Sequence, residues 1–186
     1  MTLLDTVIEA NRAFCRPGRF APLHKNPKKQ LAVFTCMDTR LVDFLENAMG
    51  IRRGDAKLIK NAGNTIVDPL NGGVIRSLVA AIFMLGVEEI FVIGHKDCGM
   101  ALVDAAELKG RMESRGIDIR TVDALVPDLA QWLGAFNDPL ENVRSVVEKI
   151  RNNPLIPRDV PVHGLLFCPD DGHLDVIVRG YDDNRE

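Results

Sequence analysis

Cys36, His95 and Cys98 are the residues of this chain best suited to chemistry, because each stands where an apolar run gives out. Leu31-Ala-Val-Phe34 leads into Thr35-Cys36-Met37-Asp38-Thr39-Arg40, and Ile90-Phe-Val-Ile93 leads into Gly94-His95-Lys96-Asp97-Cys98-Gly99. Such runs read as buried strands, and parallel strands deliver their carboxyl-end loops to one edge of a sheet. Two thiolates and one imidazole then converge on a point. Three protein ligands with a vacant fourth position are the arrangement of a catalytic zinc rather than a structural one. Two thiolates offset the formal charge of Zn²⁺, so this site is a weaker Lewis acid than three imidazoles would make. Activity is therefore expected to rise toward alkaline pH, an effect that hydrogen bonds to the sulfurs would partly offset.

Asp38 and Arg40 follow Cys36 at alternate positions. A carboxylate beside zinc-held hydroxide can accept its hydrogen bond and aim an oxygen lone pair at an electrophile. An arginine can grip that carboxylate bidentately and keep it ionised. The bland alternatives are three ordinary core residues, a Cys36–Cys98 disulfide, and a plain surface ion pair between Asp38 and Arg40. The joint pattern of Cys-x-Asp-x-Arg and His-x-x-Cys, each at a strand end, favours the metal.

The elements that must position these residues are legible as apolar periodicity. Thr2 and Asp5 mark a helix start, and Leu3, Leu4, Val7, Ile8, Asn11 and Phe14 form one helical stripe that Pro17 and Gly18 stop. A basic loop from Arg19 to Lys29 cuts this helix off from the rest, so its stripe is expected to pack on another subunit. Strands are expected at about 31–35, 55–59, 89–93 and 160–167, with an antiparallel edge at 174–179. Helices are expected at 41–49, 74–85, 100–115, 121–136 and 142–151. Alternating strands and helices predict right-handed crossovers and a parallel sheet.

The 186 residues carry 46% hydrophobic and 26% charged residues and a net charge of -3, the balance of one globular domain with no bias toward nucleic acid. No run is long enough to span a membrane, and the N-terminus lacks the basic start and long apolar stretch of a secretion signal. A cytoplasmic, reducing setting is expected, in which free cysteines serve as ligands or core residues.

These motifs resemble the β-class carbonic anhydrases, whose pattern is Cys-x-Asp-x-Arg followed by His-x-x-Cys. Thr35-Cys-Met-Asp-Thr-Arg-Leu41, Gly54-Asp-Ala-Lys-Leu-Ile-Lys-Asn-Ala-Gly-Asn64, Gly73-Val-Ile-Arg-Ser77, Gly94-His-Lys-Asp-Cys-Gly-Met100, Pro154-Leu-Ile-Pro157 and Val162-His-Gly-Leu165 are similar to its short archaeal-type branch. The resemblance implies reversible hydration of CO2 to bicarbonate and a proton by zinc-bound hydroxide, with one Zn²⁺ per chain on Cys36, His95 and Cys98. It further implies an orienting dyad of Asp38 and Arg40, and a backbone amide of Gly99 near the substrate. The implied fold is a four-stranded parallel sheet with an added antiparallel edge strand, flanked by helices. The implied assembly is a homodimer or higher homo-oligomer in which the N-terminal helix, part of an arm over 1–30, lies across the neighbour. Pro27 stands where the plant-type branch has a glutamine, so the plant-type substrate pocket does not carry over.

Two rival functions share the motif: hydrolysis of COS or CS2 at the same zinc site, and non-catalytic zinc binding. Retention of Asp38 and Arg40 argues against the second. The pocket is expected to be small and apolar, with Ile59, Val74 and Leu78 as candidate walls and the Thr65–Gly73 loop near its entrance. Asn61 and Gly63 belong to the same edge, Gly63 as a point of close backbone approach. Arg76 reads equally as a contact to an acid or a solvated residue. Cys15, Cys168, His24, His163 and His173 fit no ligand spacing; His163 reads as a core residue and His24 as a weak candidate for proton relay.

Overall fold

The architecture comes from a computed structural model that describes residues 1–15, 18 and 20–181; the expected helix stop at Pro17 and the loop start at Arg19 lie outside the described residues. Five strands form one sheet in the order β2-β1-β3-β4-β5: β1 (Leu31–Cys36), β2 (Ala56–Asn61), β3 (Glu89–His95), β4 (Val162–Phe167) and β5 (Leu174–Val178). The first four are parallel and β5 runs antiparallel to β4. Every residue of β1 is buried, as expected of a central strand covered on both faces. Ala32 and Phe34 face one core with Ile75, Leu78, Val143 and Val147; Leu31 and Val33 face a second with Leu41, Leu45 and Phe167.

The first core is covered by helices α3 (Gly73–Leu85) and α7 (Pro139–Arg151), the second by the short α2 (Phe44–Ala48). Helix α7 starts where Asp138 caps two backbone amides and Pro139 takes the first turn. It lies hard against the sheet because β4 offers a glycine beneath it: a Cβ on Gly164 would come within 2.8 Å of Val143 Cγ1.

Three expected helices are interrupted. The span 41–49 is a 3-10 turn at Thr39–Leu41 and then α2, separated by Asp43 at φ +65°. The span 100–115 divides into a 3-10 turn at Gly99–Leu102 and α4 (Ala105–Ser114), which Asp104 caps through two amides. The span 121–136 is α5 (Ile119–Leu125) and α6 (Leu129–Leu133), parted at Pro127, whose ring disfavours helix in the residue before it. Helix α1 (Leu3–Phe14) opens on a reciprocal Thr2–Asp5 capping box and buries none of its residues. No helix among the described residues is long and apolar enough to cross a membrane.

Candidate metal centre

Strands β1 and β3 are direct neighbours, so the loops that leave their carboxyl ends meet. Cys36 Sγ, Cys98 Sγ and a ring nitrogen of His95 lie within 4.8 Å of one another, and all three residues are buried. The sulfurs stand 4.0 Å apart. Two thiolates on one tetrahedral zinc, each at about 2.3 Å, would stand about 3.8 Å apart. His95 Nδ1–H donates to the Lys96 carbonyl at 2.9 Å, which leaves Nε2 with its lone pair free. That Nε2 is buried without a hydrogen-bond partner, an arrangement costly for a polar atom unless a cation satisfies it. Donor type, spacing and the orphaned nitrogen together fit a zinc ion.

The two thiols share charge before any metal arrives. Hydrogen bonding from Cys98 brings the Cys36 pKa down to about 4, helped by His95 and by the amides of Asp38 and Gly63, against the opposing effect of burial. The same bond, with burial, pushes the Cys98 thiol up. For His95, burial works to lower the pKa, but the neighbouring Cys36 sulfur and the Lys96 carbonyl outweigh it and the net direction is upward. A dication would replace these shared protons.

Gly63 sits at φ +69° and its N–H donates to Cys36 Sγ at 3.3 Å. A Cβ there would fall 2.8 Å from the Met100 side chain, so the expected close approach is real. Asn142 on α7 donates to the Gly63 carbonyl at 3.0 Å, tying this turn to the helical layer. Asn61 makes two hydrogen bonds to the Thr65 backbone, so its side chain closes a turn and does not face the metal residues.

Asp38 and Arg40 form the pair read from their spacing. Arg40 Nη2 lies 2.9 Å from Asp38 Oδ2, Arg40 Nε lies 3.1 Å from Oδ1, and the Arg40 amide reaches Oδ1 at 2.8 Å. Hydrogen bonding to the Arg40 side chain holds the Asp38 pKa at about 2, so the carboxylate is ionised under any physiological condition. Asp38 Oδ2 lies 3.8 Å from His95 Nε2, beside the three donors. Asp97, to which the motif spacing assigns no partner, accepts from Arg40 Nη1 at 2.9 Å through its carboxylate and from Arg40 Nη2 at 2.7 Å through its carbonyl.

A hollow of about 310 Å³ opens over this group, lined by Cys36, Met37, Asp38, Gly63, Gly99 and Met100 among others. The candidate walls Ile59, Val74 and Leu78 are instead packed in the main core. Thr65, Ile66 and Val67, at the start of the loop expected near the entrance, line a separate groove with Trp132, which is larger at about 760 Å³. That groove contains none of Cys36, Asp38, His95 and Cys98, and the small hollow holds the chemistry. Among the remaining candidates, Cys168 is buried at a strand end, Cys15 is exposed, Arg76 is exposed on α3, and His163 accepts the Gly180 N–H and faces Glu89 at 2.9 Å.

A parallel α/β sheet carrying a Cys–His–Cys cluster and an Asp–Arg pair at its carboxyl edge defines a class of zinc proteins with an open catalytic corner. Comparison with known proteins narrows that class. The family model for carbonic anhydrase matches residues 31–174. A crystal structure of β-carbonic anhydrase isoform I from Trichomonas vaginalis superposes with a TM-score of 0.93 at 41% identity, covering 97% of this chain and 100% of that one. β-Carbonic anhydrase 1 of Mycobacterium tuberculosis is 31% identical over 178 residues, 96% of this chain and 99% of that protein. A carbon disulfide hydrolase of Acidithiobacillus thiooxidans is 35% identical over 158 residues, 78% of this chain and 76% of that protein. The chain belongs to the β-class carbonic anhydrase family.

Proposed function

We propose that the protein is a zinc-dependent carbonic anhydrase that interconverts CO2 and bicarbonate plus a proton. The observation that carries this reading is the coincidence of two buried sulfurs, an orphaned imidazole nitrogen and an ionised Asp38 within one small hollow. Cys36, His95 and Cys98 would hold the metal, which when bound would supply Lewis acidity that makes water nucleophilic near neutral pH. Asp38, ionised and unable to donate, accepts the O–H of the attacking water and thereby turns an oxygen lone pair toward the carbon of CO2. Arg40 keeps Asp38 charged and fixes its orientation through three hydrogen bonds. Gly99 lines the hollow with open space over its Cα, and its amide is assigned to a substrate oxygen. Met37 and Met100 give the hollow its apolar wall, suited to a nonpolar substrate.

The whole chain acts as one catalytic unit with an arm over 1–30, of the short archaeal-type branch; a relative of nearly equal length and the absence of glutamine at Pro27 support this. Its setting is the cytoplasm, and a second copy of the chain covers the apolar side of α1.

The similarity to carbon disulfide hydrolases supports a second reading, in which the same site cleaves CS2. Zinc-loaded protein assayed by stopped flow for CO2 hydration, beside an assay for sulfide release from CS2, separates the two. Hydration that is lost on chelation and regained with zinc is expected; sulfide release without hydration would overturn the first reading.

A further inference from the structure

The Asp38–Arg40 pair has a third member. Asp97 stands between the two ligands of the second metal loop, one residue before Cys98 and two after His95. Its backbone sits at φ +52°, a left-handed conformation that aspartate tolerates better than most residues. In that conformation the residue turns both its carboxylate and its carbonyl toward Arg40, at 2.9 and 2.7 Å. The Arg40 guanidinium is thereby held along two edges: Nε and Nη2 on Asp38, Nη1 and Nη2 on Asp97. The Arg40 side chain is 40% exposed, so among the described residues its hydrogen bonds to Asp38 and Asp97 are what hold it in place.

We propose that Asp97 is a positioning residue, clamping the Arg40 guanidinium so that the Asp38 carboxylate is indexed to the loop that carries His95 and Cys98. This rests on the reading of Asp38 and Arg40 as the orienting pair. Held only by Arg40, Asp38 would move with that side chain as a hinged unit. With Asp97 in place, the pair and two of the three metal donors share one rigid frame. A misaligned acceptor is costly to a reaction that depends on lone-pair direction, whereas an exposed ion pair adds little to stability. Loss of the clamp should therefore cost turnover and spare the fold.

Asp97→Gly removes the carboxylate and keeps the left-handed backbone; Asp97→Asn keeps an acceptor oxygen. In zinc-loaded protein, Asp97→Gly is expected to lower kcat roughly tenfold, the lower end of what loss of a supporting contact costs, with zinc content and melting temperature unchanged. Asp97→Asn should recover most of the rate. In the Arg40→Ala background the same Asp97→Gly change should have no further effect on kcat. The independent readout is ¹⁵N NMR of the Arg40 guanidinium, whose two Nη signals should be distinct in the wild type and averaged in Asp97→Gly. Distinct signals and full kcat in Asp97→Gly would overturn the proposal, as would loss of zinc in both variants, which would mark Asp97 as a loop residue only. A wild type that hydrates no CO2 yet shows the NMR change would instead overturn the functional reading and leave the clamp standing.

Discussion

At the scale of single residues, the metal donors were readable because their chemistry is local. Cys36 ends one buried strand, and His95 ends another with Cys98 in the loop that follows, so two short motifs at strand ends carry the donors. Asp97 was not readable in this way. Its partner Arg40 is 57 positions away, and only the pairing of β1 with β3 brings the two together. His163 shows the same limit. The strand pattern marked it as a core residue, and it is indeed nearly enclosed, but its surroundings are charged. Glu89 and Tyr181 face it, with Arg151 and Arg179 nearby, and Nδ1 accepts the Gly180 amide. Burial lowers its pKa; Glu89 opposes, while the two arginines add to the lowering. Because the folded value lies below the unfolded one, the unfolded chain binds the proton first as pH falls. The contribution to stability is full above about pH 6.5 and fades below it. Urea unfolding at pH 7.5 and pH 5.5 should show wild type losing more stability than His163→Asn; equal losses would contradict the assignment.

At the scale of elements, strand positions were legible to within one or two residues, whereas helix continuity was not. Apolar periodicity runs on through Asp43, Asp104 and Pro127, and each of these parts two helical segments. The signal that would have divided them is the cap residue inside the pattern, since Asp104 and Asp128 each take amides from the turn that follows. The close seat of α7 on the sheet was likewise invisible, because it depends on what a glycine leaves out. A Cβ on Gly164 would fall 2.8 Å from Val143 and 3.1 Å from Val147, so Val143 would have to shift and Val147 to yield slightly. Gly164→Ala should destabilise the protein by about 1–3 kcal/mol through overpacking. A shift of the urea midpoint with an unchanged m-value would show this; an unshifted midpoint would mean that α7 moves off freely.

At the scale of the whole molecule, the parallel sheet with its antiparallel edge and the family were both within reach of the sequence, because the strand-end motifs and the alternation of strands and helices point the same way; the order of the strands was not. The outer layer was less so. Helix α1 exposes Leu3, Leu4, Val7 and Phe14, all more than half accessible, and buries nothing of its own. Sedimentation should find the full chain as a dimer or larger, and a chain lacking 1–30 should dissociate at lower dilution. Identical assembly of the two would remove the arm from the interface. The adjacency of β1 and β3 also has a bearing on biogenesis. A nascent chain offers a passing ion only the His95–Cys98 pair, while the other sulfur waits 59 residues upstream of His95. Tight capture must therefore follow the slow, long-range pairing of parallel strands. Zinc would reward the native chain by mass action rather than nucleate it, and starvation for the metal should leave a folded precursor awaiting its ion, not debris for proteases.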